Sequence, residues 1–151
     1  MSPRLASWQL TSLLGLMVAM PTITIALLWS VLPSVYEGEL QASVYAEGTP
    51  PAEFYDVPFE QRPPAEDGVL VIQNNSDVDW TMLNIHINRF YQIYDVEPIP
   101  AREERRYKLN KFITRAGARF DLKYNPLKSV LIYARQPNAE RATYSYEFPK
   151  Q

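Results

Sequence analysis

The chain contains no cysteine, which excludes a disulfide framework, a thiolate metal site and a thiol nucleophile. Disulfide absence is compatible with either side of a membrane and assigns no compartment. Histidine is represented once, by His86, so no imidazole pair is available to hold a metal. Also missing are G-x-S-x-G, the phosphate-binding P-loop, the dinucleotide glycine fingerprint and H-E-x-x-H. With no dyad of nucleophile and base in sight, the chain reads as a non-enzyme. No catalytic residue, cofactor or metal is expected, and no nucleic-acid partner.

The most informative absence is of charge. From Leu5 through Tyr36 there is no Asp, Glu, Lys or Arg; Arg4 precedes the run and Glu37 ends it. A helix of about 20 apolar residues crosses the hydrocarbon core of a bilayer, and this run exceeds that length. Trp8 and Trp29 are spaced to lie about 31 Å apart along a helix at roughly 1.5 Å per residue. That spacing puts one indole at each membrane interface, where an amphipathic ring is most stable. Pro21 falls inside the run, a backbone defect that membrane helices tolerate. Ser12, Gly15, Ala19, Thr22 and Ala26 recur at alternating steps of three and four, forming a small-residue stripe of the kind that lets helices approach closely in lipid. Leu14, Met17, Ile25 and Leu28 fall largely elsewhere. A cleavable signal peptide fits less well, because its apolar region spans only about 7–15 residues. The expectation is a retained anchor over residues 1–36.

Basic residues flank only the N-terminal side of the run, since no Lys or Arg follows until Arg62. The positive-inside rule then places the N-terminus in the cytoplasm and the remainder outside the inner (cytoplasmic) membrane, in the periplasm of a Gram-negative cell. The net charge of −2 conceals a division. Residues 34–67 carry eight acidic side chains and one basic, whereas residues 68–151 carry 13 basic and nine acidic.

Residues 37–67 read as an acidic, proline-rich strap. Pro50, Pro51, Pro58, Pro63 and Pro64 favour extended chain, yet Leu40, Val44, Tyr45, Phe54, Tyr55, Val57 and Phe59 are too apolar for a solvated spacer. The strap is expected to lie against a partner, with Phe54, Tyr55 and Phe59 docking, or to fold back on its own domain. A plain tether is the remaining alternative.

From Gly68 to the C-terminus the pattern is that of β structure. Strands are predicted at 69–73, 81–89, 91–96, 104–109, 119–123, 130–135 and 141–148, separated by turn-forming Asn, Asp, Gly and Pro. Leu83, Ile85 and Ile87 alternate with Asn84, His86 and Asn88. Ala142, Tyr144, Tyr146 and Phe148 alternate with Thr143, Ser145 and Glu147. Such strands have one face on a core, and their number and spacing predict a small antiparallel β-sandwich over 68–151. Trp80, Phe112 and Phe120 are expected to fill much of its core. The run Arg102–Arg106 alternates in sign and reads as solvated chain leading into a strand, or as a rim contact for an acidic partner or lipid headgroups. Asn74-Asn75-Ser76 matches a glycosylation sequon but equally forms a turn. His86 reads as part of a polar sheet face.

The stretch NNSDVDWTMLNIHIN (74–88), with FYQIY (90–94) and GARF (117–120), resembles small immunoglobulin-like or fibronectin-like β-sandwich domains of bacterial single-pass membrane proteins. The resemblance implies binding or scaffolding and brings no active-site residue. Together these readings lead to a non-catalytic accessory subunit of a larger membrane complex, of respiratory or photosynthetic type. Its partners would be other transmembrane subunits and the bilayer. The alternative is a free-standing, membrane-tethered sandwich that binds an envelope ligand.

Overall fold

A computed structural model of the chain describes residues 7–31, 38–137 and 140–149. The chain divides into two compact units, residues 1–35 and 36–151. The first contains α1, Ser7–Val31, a 25-residue helix without a charged residue in either terminal turn and with Pro21 inside it. Two of its described hydroxyls are turned back on the helix: Ser12 donates to the Trp8 carbonyl at 2.9 Å and Thr22 to those of Val18 and Ala19 at 3.0 and 2.9 Å. Such back-bonding hides polar hydrogens from an apolar surrounding. Among the described residues no helix is long and apolar enough to cross a membrane.

The second unit is mostly β, with two antiparallel sheets. One has three strands in the order β1 (Ala42–Glu47), β2 (Val69–Asn74), β5 (Glu104–Lys108). The other has four in the order β4 (Tyr91–Asp95), β3 (Thr81–Ile87), β6 (Ser129–Arg135), β7 (Arg141–Glu147). The inward sides of both sheets contribute to one apolar core, as a small sandwich requires. Leu70 and Ile72 come from the first sheet, and Leu83, Ile85, Ile87, Val130 and Ile132 from the second. Trp80 and Phe112 are fully buried and Phe120 nearly so, so the three aromatics lie where the sequence places them.

Two elements differ from the sequence reading. Residues 42–47, inside the presumed strap, form β1 and pair with β2 from Ala42↔Asn74 to Glu47↔Val69. This stretch holds none of the prolines and buries Val44, so it satisfies the backbone pairing that the flanking proline-rich chain cannot. Conversely, 119–123 is not a strand. Phe120 and Leu122 do alternate inward. The Asp121 carboxylate, however, accepts from the Lys123 amide at 2.8 Å, and the Asp121 carbonyl from Asn125 at 3.0 Å, closing a turn.

Just before β1 the chain lies on the other sheet. Thr143 of β7 donates its amide to Gly38 at 3.0 Å and accepts from Leu40 at 2.9 Å. The chain therefore switches sheets at residue 41, tying the edges of the two sheets together. A short helix α2, Glu53–Asp56, and a single 3-10 turn at Phe59–Gln61 follow β1.

Candidate functional site

The two ends of the sandwich are built differently. At one end, a polar knot is buried. Asn74 and Ser76 are both buried. The Asn74 amide donates to the carbonyls of Val78, Ile99 and Pro100 at 2.8–3.2 Å. The Ser76 hydroxyl donates to Asn74 Oδ1 at 2.6 Å and accepts from Trp80 Nε1 at 3.1 Å. Every hydrogen-bonding group of the sequon asparagine is thus occupied inside the fold. Its motif acts as a turn, and a glycan has no access to the amide.

Beside this knot the sheets are latched by charge. Arg105 of β5 reaches across to Asp95 of β4 at 3.0 Å, and the Tyr107 phenol donates to the same carboxylate at 2.8 Å. Burial pulls the Asp95 carboxyl upward, but the bonds from Tyr107 and Arg105 outweigh it and hold it below its ordinary value. Burial and the Asp95 carboxylate push the Tyr107 phenol far up. Arg102 pairs with Asp77 at 2.7 Å, and Arg106 with Glu47 and Glu104. The arginines of the 102–106 run are therefore engaged within the domain.

At the opposite end lies a groove of about 1290 Å³ between the β3–β4 turn, the 114–116 turn, the 125–129 segment and residues 147–149. Asn88 sets its floor. Its amide donates to the Pro126 carbonyl at 2.7 Å, and its side-chain oxygen accepts from the Lys128 and Ser129 amides at 2.7 and 3.2 Å. Asn88 and Arg89 both adopt positive φ, 48° and 68°. Asparagine tolerates that region through local side-chain bonding; arginine has no such compensation. Next in the turn, Phe90 is 74% exposed.

Arg89, Arg115 and Lys128 line this groove, with Glu147 as its sole carboxylate. Among the described residues none of these three cations has an ion-pair partner. His86, also in the wall, packs edge-on to Tyr133 at 5.6 Å. Burial, aided by the Arg115 guanidinium, holds His86 below its ordinary value, so the ring is neutral at neutral pH. A second, smaller concavity of about 460 Å³ on the outer face of the four-stranded sheet shares His86. Met82 stands there at positive φ, 50°, where the β3–β6 register shifts.

The strap closes on its own domain through Arg62. Its guanidinium donates to the carbonyls of Val57, Tyr55 and Lys123 at 2.7, 2.9 and 3.0 Å and lies 5.3 Å from the Tyr55 ring centroid. The Tyr55 phenol donates to the Leu122 carbonyl at 2.9 Å. Phe54 is half-buried edge-on to Tyr55, while Phe59 is half exposed beside the Tyr124 ring. Of the three aromatics expected to dock, Tyr55 spends its polar atom within the molecule and Phe59 keeps half of its surface free.

In α1, Trp8, Ser12, Ala19 and Thr22 are exposed, and a Cβ added at Gly15 meets no atom within 4 Å. The side chains of Ala26 and Trp29 lie outside the described residues. Among the described residues no cluster of His, Asp and Glu is arranged to hold a metal ion. No family model, no curated protein and no solved structure matches this chain.

Sequence reasoning missed the groove and the Arg62 clamp. The groove's cations come from three separate segments and share no spacing. Arg62 did carry a signal, as the one base in a strongly acidic stretch.

Proposed function

We propose that this chain is a membrane-anchored, non-catalytic accessory subunit of a larger membrane assembly, held by α1, with the sandwich as its extramembrane part. The observation that carries this reading is α1 itself. Its 25 residues include no charge, and at about 1.5 Å each they extend roughly 37 Å. Its described large apolar side chains, from Leu13 to Leu27, are all more than half exposed. Apolar surface on that scale requires lipid or other helices to cover it. The open stripe through Gly15 offers a place for a neighbouring helix to approach. Because lipid already solvates apolar side chains, packing is what such an approach contributes.

Purification in mild detergent, with identification of co-migrating proteins, tests the proposal. Gly15→Ile should push the helices apart and weaken partner retention. Overpacking a close contact costs about 1–3 kcal/mol, or roughly one to two decades in the association constant. Leu14→Ile should retain partners. Equal retention by both variants would reduce α1 to a simple anchor. A second reading, a membrane-tethered binding domain, is favoured by the unpaired cations of the groove. It predicts partner loss on groove substitution and none on changing the stripe.

A further inference from the structure

Among the described residues the groove's three cations form no ion pair, and the acidic segment that suits them belongs to the same sequence. Arg89, Arg115 and Lys128 face a concavity whose one carboxylate is Glu147. At about 1290 Å³ it exceeds the roughly 300–1000 Å³ usual for small-molecule pockets, so a length of polypeptide fits it better. The strap displays Glu53, Asp56 and Glu60, all exposed and none in an ion pair among the described residues. Its single base, Arg62, is consumed by backbone carbonyls, so the strap presents an acidic outer surface with Val57 and Phe59 exposed on it.

Strap and groove are neighbours. Arg62 and Tyr55 bind the strap to residues 122–123, and residues 125–129 of the same segment form one groove wall. Held there, the strap makes no ion pair with its own groove among the described residues. When an acidic and a basic surface sit side by side at one end of a molecule, a two-fold axis brings each against its opposite on a second copy. We infer that the sandwich self-associates as a two-fold dimer, each acidic strap docking in the basic groove of the other copy. Arg89, held at positive φ with its side chain exposed, would contact the partner's carboxylates. This inference uses the sandwich alone and does not rest on the anchor.

The test is a pair of charge-reversed full-length chains in detergent, followed by sedimentation. Arg89→Glu with Arg115→Glu makes the groove acidic; Glu53→Lys with Glu60→Lys makes the strap basic. Wild type should be dimeric at low salt and dissociate as salt rises from about 0.05 to about 0.5 M, where screening shortens the reach of exposed charges. Each variant alone should bind itself at least about tenfold more weakly than wild type, since like charges then meet at both contacts. Mixed together, the two variants should form a heterodimer, because each strap again meets a groove of opposite sign. Circular dichroism of each variant confirms that it is folded. A monomeric wild type at low salt overturns the inference. So does a dimer indifferent to salt and charge reversal, or a mixture that fails to form the heterodimer from folded variants.

Discussion

The two ends of the sandwich handle charge in opposite ways. At the Asn74 end, the partly buried Arg105 has a carboxylate partner in Asp95, and the buried amide and hydroxyl are fully bonded. At the groove end, Arg89, Arg115 and Lys128 have no ion pair among the described residues, and two successive residues hold positive φ. Polar groups that are paired and desolvated specify a fold; cations left in a groove contribute little to it and remain available to a ligand. The first end should therefore respond to substitution through stability, and the second through binding.

The largest effect is expected where the knot meets the core. Trp80 is fully buried and its indole nitrogen bonds Ser76. Trp80→Ala should cost about 3–5 kcal/mol, the range for removing a large core aromatic. Asn74→Ala deprives three carbonyls and the Ser76 hydroxyl of a partner, at about 1–3 kcal/mol. Urea melts followed by fluorescence measure both. A cost for Trp80→Ala within the error of the melt would contradict the distinction between the ends.

The latch should show itself in acid. The folded Asp95 carboxyl lies below its ordinary value, so the unfolded state takes up a proton first as pH falls. Its contribution is complete above the unfolded value of about 3.9 and is lost as pH drops through it toward the folded value. Asp95→Asn should lower stability at neutral pH by about 1–3 kcal/mol, since Arg105 and Tyr107 lose an ionised partner. It should also flatten the acid limb of the stability profile. An unchanged acid limb would mean that other carboxylates dominate it.

Much of this fold is visible in the alternation of short segments. Leu83, Ile85 and Ile87 on β3 and Ala142 on β7 turn inward as their spacing demands. Local spacing fails where tertiary pairing decides. β1 lies in a stretch whose acids and prolines mask a six-residue strand, completed only by its register with β2. At 119–123 alternation of burial is real, yet Asp121 turns the chain before a ladder forms. Charge is less legible. The dense 102–106 run reads as solvated chain entering a strand, or as a rim contact, and its arginines are paired within the domain, whereas the cations of the groove are scattered along the sequence. Composition reports how many charges exist; only topology decides which of them meet a partner.

Arg89 sharpens the comparison with the smallest expected effect. It occupies the left-handed region at φ 68°, where a β-carbon meets the carbonyl and costs roughly 1–2 kcal/mol. Glycine avoids that clash but gives up more chain entropy on folding, about 0.5–1 kcal/mol relative to alanine. Arg89→Gly should therefore be neutral or stabilising by up to about 1.5 kcal/mol, while Arg89→Ala keeps the clash and gains nothing. Both remove the guanidinium, so both should weaken charge-dependent self-association equally. Thermal melts paired with sedimentation separate the two effects. If Arg89→Gly instead destabilises the sandwich as Asp95→Asn does, the side chain belongs to the fold's own polar network, and the groove end is no different in kind from the knot.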